Sequence, residues 1–70
     1  MAVAVGERIR ELRLKRGYSQ EELSHEAELM LSQIGRIERG ETNPTVSTLY
    51  VLAHALGVEL KDLVDVKLNK

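Results

Sequence analysis

Val5, Ile9 and Leu12 recur at helical spacing with charged residues on the other faces, which predicts a first helix over about residues 5–16. Gly17 is placed to stop it in the left-handed conformation that ends many helices. Ser19 followed by Glu22 reads as a capping box and predicts a second helix over 20–27, with Leu23 and Ala27 facing inward. A break falls at residues 28–30. A third helix follows over 31–39, with Ile34 and Ile37 as its inner stripe and Gly40 as its stop. Thr42-Asn43-Pro44-Thr45 is a loop whose last residue can cap what comes next. The fourth helix, about 46–56, buries Leu49, Leu52, Ala53 and Leu56 and ends at Gly57. A short fifth, about 60–64, carries Leu60, Leu63 and Val64, and residues 65–70 form a tail. The pattern predicts an all-α fold, a compact five-helix bundle in a single domain over residues 1–70, without repeats, linkers or low-complexity segments.

The second and third helices are joined too tightly to lie antiparallel. They must cross, and a crossed pair can present its second helix to a DNA major groove. From Gln20 onward, apolar residues fall at Leu23, Ala27, Leu29, Ile34 and Ile37. Four lie between the helices and Leu29 plugs the angle of the turn. This constellation, with QEEL at its front and RIERG at its back, closely resembles the helix-turn-helix of the Cro/phage-repressor (XRE) family. The NPT segment, the LYVLAHALGV run and the terminal LKDL resemble that family's fourth and fifth helices, so the likeness covers about residues 6–64.

The resemblance implies a domain that binds double-stranded operator DNA as a homodimer, with roles carried over position by position. Gln20 would donate to a backbone phosphate beside its helix N-terminus. Base edges would be read by Leu31, Ser32 and Arg36, with Gly35 on the same exposed face, and Gln33 would turn toward phosphate. Arg39, Thr42 and Asn43 match positions that touch the DNA backbone. Arg13 and Glu38 match an ion pair that ties the first helix to the end of the third. The side-chain chemistry fits. Arg36 can pair with guanine O6 and N7, Ser32 can serve several bases, and Leu31 can pack on a thymine methyl. Two residues depart from the family pattern, Glu28 where a glycine is favoured and Met30 where a Ser or Thr cap is. Either the turn changes shape, with Ser32 capping a shorter helix, or stability is made up elsewhere.

Composition narrows the picture further. Seventy residues without cysteine, and with only two histidines, leave well-packed helices, with or without a partner subunit, to hold the fold. Apolar residues make up 43 % of the chain but aromatics only 3 %, so the core must be aliphatic. Net charge is −1, unevenly spread: Arg8, Arg10, Arg13, Lys15 and Arg16 crowd the first helix, and Glu21, Glu22, Glu26 and Glu28 lie on or beside the second. Local field matters more than the total for a DNA-binding surface. His25 and His54 sit on outer faces with no third ligand, so no metal is expected. No paired carboxylate, nucleophile or phosphate loop appears, so neither enzyme activity nor a cofactor is expected. No apolar run approaches a membrane span, and the first residues turn charged too soon for a signal peptide, which points to the cytoplasm.

Leu63, Val64, Val66 and Leu68 exceed what a five-helix monomer can cover, and with Tyr50 and Val58 they form the expected dimer surface. The expectation is a minimal transcriptional regulator without an effector domain, like a restriction–modification controller, phage repressor or antitoxin. The competing expectation is an antitoxin-like module that grips a protein partner (a toxin or polymerase) and binds DNA weakly. The acidic second helix, Met30 and Leu31 favour it.

Overall fold

Ile9, Leu23, Ile34, Ile37, Leu52 and Leu63 have the largest side chains wholly withdrawn from water. They come from all five helices present among the described residues, 2–64, of the computed structural model. These helices are α1 (Ala2–Arg16), α2 (Gln20–Ala27), α3 (Leu31–Glu38), α4 (Val46–Leu56) and α5 (Leu60–Val64), and no strand accompanies them among the described residues. Val5, Leu12, Ala27, Leu49, Ala53, Ala55 and Leu56 complete one aliphatic core, with Tyr18, Leu29, Val58 and Leu60 packed at its edge. The fold is all-α. α2 and α3 pack on each other, α1 lies against α3, and α4 packs on α2.

Two boundaries differ from the sequence pattern. α1 begins at Ala2 rather than near Val5, because the Ala-Val-Ala-Val-Gly start has no polar face to mark it as helical. Its Gly6 lets α3 approach closely, since a side chain there would meet the Ile37 and Glu38 carbonyls. α3 ends at Glu38, with Arg39 as its C-cap.

All four of the longer helices end in the same way. The amide of the left-handed residue that follows bonds three residues back and the next amide five back: Gly17 to Leu14 and Tyr18 to Arg13 after α1, Gly40 to Ile37 and Glu41 to Arg36 after α3, Gly57 to His54 and Val58 to Ala53 after α4. After α2 the same pattern runs from Glu28 to His25 and from Leu29 to Ser24. Glu28 therefore occupies a left-handed conformation, φ 56°, that glycine fills in the other three. The turn keeps its shape despite the residue change, at a cost of roughly 1 kcal/mol or more of backbone strain. The alternative of Ser32 capping a shortened helix is overturned: α3 starts at Leu31 with Met30 as its N-cap, and the thioether bonds nothing there.

The starts of α2 and α4 are capped by side chains. Ser19 Oγ accepts from the Glu22 amide at 3.0 Å, and Glu22 Oε1 accepts from the Ser19 amide at 2.7 Å. Thr45 Oγ1 accepts from the Thr48 amide at 3.1 Å. Met30 is 71 % exposed, so it gains neither a cap nor burial. Restoring the cap with Met30→Ser should stabilise the domain by about 1 kcal/mol. In a chain this short, that should raise the thermal midpoint by roughly 4–8 °C, read by circular dichroism. An unchanged or lower midpoint would mean that Met30 has a packing role its exposure does not reveal.

Candidate nucleic-acid interface

The position of α3 is set by one buried carboxylate. Glu38 Oε2 accepts from Arg13 Nε at 2.7 Å, and its Oε1 accepts from Arg13 Nη2 at 3.1 Å and from Gln20 Nε2 at 3.0 Å. Arg13 Nη1 donates to the Tyr18 carbonyl at 2.9 Å. The two charged side chains are only 9 % and 2 % exposed, so the pair sits in a low-dielectric setting with its hydrogen bonds filled. α1, the start of α2 and the end of α3 thus meet at one group. No buried side-chain polar atom among the described residues lacks a partner.

Held this way, α3 turns Leu31, Ser32 and Arg36 to solvent and leaves Gln33 half-buried. Ser32, Gln33 and Arg36 line an open hollow of about 360 Å³ with Met30, Ile37 and the loop into α4, including Thr42, Asn43, Pro44, Thr45 and Thr48. Five residues expected to meet DNA are brought to one surface. Pro44, Thr45 and Thr48 line the same hollow without having been expected there, because loop signals mark a turn without showing which side of it faces α3.

Several placements correct the sequence reading. Gly35 is buried rather than on the exposed face, because the Arg39 guanidinium folds back over it. Gln20, expected to donate to phosphate, has one amide hydrogen committed to Glu38 and one left. Leu63 is fully buried in the core, so it is no part of a dimer surface. Val58 is half-buried against the core. Tyr50, 66 % exposed, and Val64, 38 % exposed, do face solvent, whereas Val66 and Leu68 lie outside the described residues. His25 and His54 are both exposed, and no metal-holding group of His, Cys, Asp or Glu occurs among the described residues.

Glu41 is the residue with no signal in the sequence reading. Its carboxylate takes Arg39 Nε at 2.7 Å and Nη2 at 3.3 Å. The hydrogen bond from Arg39 is the main cause that holds the Glu41 carboxyl below the ordinary carboxylate range, with the charges of Arg39 and Arg36 adding to it. The same bond raises Arg39. Because the carboxyl is depressed, the attraction between the two charges is lost as pH falls through that lowered value.

A family model described as helix-turn-helix matches residues 9–63. The chain belongs to that family. It is similar to an uncharacterized HTH-type transcriptional regulator of Sinorhizobium fredii, y4dJ, with 42 % identity over 91 % of this chain and 83 % of that one. Among solved structures it resembles the restriction–modification controller protein C.AhdI from Aeromonas hydrophila, with a TM-score of 0.86 and 40 % identity over 89 % of this chain and 94 % of that one. It also resembles SinR, the master regulator for biofilm formation, in complex with DNA, with a TM-score of 0.83 and 35 % identity over 87 % of this chain and 98 % of that one. SinR is a Bacillus subtilis regulator. The chain spans less than half of some other curated relatives, 46 % and 43 % of two of them. Its relatives are HTH-type transcriptional regulators, repressors and control proteins, and its fold and helix-turn-helix are those of the XRE-type family.

Glu38→Ala should destabilise this helix-turn-helix by about 3–5 kcal/mol, since it leaves Arg13 buried without its counter-charge and Gln20 without its acceptor. Urea unfolding checks this. A loss below 1 kcal/mol would show that α3 is held by its apolar face alone.

Proposed function

We propose that this protein is a cytoplasmic, non-enzymatic transcriptional regulator that binds a near-palindromic DNA operator as a homodimer, controlling its own gene or a neighbouring one. The observation that carries the proposal is the exposed side of α3. A helix braced by a buried ion pair presents Ser32 and Arg36 beside the polar loop Thr42–Asn43, and together they line one solvent-open hollow. In this reading Leu31, Ser32 and Arg36 meet base edges. Gln20, through its second amide hydrogen, meets the DNA backbone together with Gln33, Thr42 and Asn43. SinR, of similar fold, has been solved with DNA, which supports the reading. No helix among the described residues is long and apolar enough to cross a membrane.

Two copies must place their third helices roughly 34 Å apart to enter successive major grooves. Tyr50 and Val58 line a second hollow of about 270 Å³ with Ala53, His54, Glu59 and Leu60. An exposed tyrosine beside an apolar shelf suits a self-complementary contact.

One observation favours the competing reading, a module whose main partner is a protein such as a toxin or polymerase. Met30 and Leu31, at the N-cap and first residue of α3, are 71 % and 44 % exposed, and Glu21, Glu22, His25 and Glu26 of α2 form an acidic hollow with Tyr18. Binding to DNA from upstream of its own gene, measured at two salt concentrations, separates the two readings. A regulator should prefer that DNA to random sequence and weaken as salt rises. Equal affinity for both would favour the protein-partner reading.

Within the regulator reading, Arg36→Ala should relax base preference at one position in each half-site, costing roughly 1–3 kcal/mol there, whereas Gln20→Ala should weaken all sequences alike. Equal effects on both would undo the division between base and backbone contacts. Tyr50→Arg should leave the helical spectrum intact and halve the mass seen by sedimentation, with weaker operator binding. A dimer that survives it would place the self-contact elsewhere.

A further inference from the structure

Arg39 and Glu41 form a second arginine–carboxylate pair, and it differs from Arg13–Glu38 in what it leaves unused. Arg13 gives Nε and Nη2 to Glu38 and Nη1 to a carbonyl, so both edges of its guanidinium are engaged. Arg39 gives Nε and Nη2 to Glu41, and the two side chains remain 59 % and 51 % exposed. A carboxylate on Nε and Nη2 takes one edge of the planar group. The other edge, Nη1 with the outer hydrogen of Nη2, is a second two-donor fork.

The place of that fork follows from Gly35. Residues 32, 35, 36 and 39 share a face of α3 by helical spacing. The Arg39 side chain leans back along that face, and its Nη1 lies 3.0 Å from where a Cβ of residue 35 would stand. The missing side chain lets the guanidinium rest on the helix, about one turn nearer to Ser32 and Arg36 than its own Cα.

We propose that Arg39 reads a guanine base edge, with Gly35 as its seat and Glu41 as the positioning residue that fixes its open fork. This rests on the reading of α3 as the base-reading helix, and it replaces the backbone role expected for Arg39 from the sequence. A fork already held in one pose loses little rotamer freedom on meeting guanine O6 and N7, an acceptor pair it matches in geometry. A residue that only gripped phosphate would gain nothing from a carboxylate alongside, because the phosphate repels it. The charges of Arg36 and Arg39 both favour the ionised carboxylate that does the holding.

The test uses the full chain and a duplex of about 20 bp, two half-sites long, selected by the wild-type protein from a randomised pool. Affinities for that duplex and for a scrambled one of the same composition give a specificity ratio. Glu41→Gln should lower the ratio about 5-fold or more while leaving the melting midpoint in place, since an exposed pair adds little stability. Arg39→Gln should lower it similarly, and the double variant no further. Selection repeated with either single variant should lose preference at one guanine per half-site that Arg36→Ala leaves intact. Gly35→Ala should also lower the ratio, with a midpoint unchanged or raised because alanine favours the helix. If Glu41→Gln instead strengthens binding to both duplexes with the ratio unchanged, Glu41 only competes with DNA for Arg39 and the proposal is overturned. If the wild-type protein enriches no sequence, the base-reading role of α3 falls first and this inference with it.

Discussion

The Glu38 carboxylate is the point on which the rest of the structure depends. It is buried, accepts three hydrogen bonds, and links Arg13 of α1, Gln20 of α2 and its own α3. Burying such a pair is costly in itself, and a well-packed apolar pair of similar volume could match it in stability. Its value lies in direction. Apolar contacts between Leu23, Ala27, Ile34 and Ile37 press α2 and α3 together but tolerate small slides, whereas a two-donor fork on a carboxylate admits one register. α3 is the helix whose outer face must be aimed, and it is the one fixed in this way. Gly6 serves the same end by bringing the α3 carbonyls at Ile37 and Glu38 close against α1.

The weakest joint lies at the other end of that helix. Glu28 is held in a conformation suited to glycine, and Met30 stands at an N-cap where a hydroxyl would bond. Both departures sit in the turn between α2 and α3, where the leading edge of the exposed helix begins. Local rules for stability are most often broken where a surface is shaped for another task. The turn nonetheless keeps its hydrogen bonds from Glu28 and Leu29, so the strain is local and does not propagate into the aim of α3.

The helices and most of the core were legible in the residue pattern because periodicity, caps and stop glycines all pointed the same way. Ser19 with Glu22, Thr45, and Gly17, Gly40 and Gly57 each mark an end that the structure uses. What the pattern could not give was the outcome of competition between neighbours. Gly35 has no side chain to be read as inward or outward, so its burial depends on where the Arg39 guanidinium rests. Leu63 looked surplus because the last residues appeared too apolar for one bundle, but α5 turns it fully inward and leaves Val64 outside. Gln20 reads as a donor for any acceptor, and the nearest one turned out to be internal. The misses at Gly35 and Gln20 concern an absent and a long side chain, whose positions are set in three dimensions and leave no trace in spacing.

A net charge of −1 seems ill-suited to a polyanion until the cations are sorted by what they hold. Arg8 reaches the Asp62 carbonyl at 2.9 Å and fastens α5, Arg13 fastens α3, and Arg16 reaches the Leu56 carbonyl at 3.1 Å and fastens α4. The most basic helix of the chain therefore works largely as an internal clamp. Arg36 and Arg39 are the arginines at the α3 face, and Glu41 is bonded to Arg39. In the proposed complex, uncharged donors on Gln20, Gln33, Thr42 and Asn43 carry much of the backbone contact, and such donors release no counterions. Non-specific binding would then be weak for a DNA-binding domain, and discrimination would rest on the aim of a few side chains rather than on attraction to any duplex. That is the regime in which a helix fixed by a buried ion pair matters most, because an error in its register cannot be offset by charge.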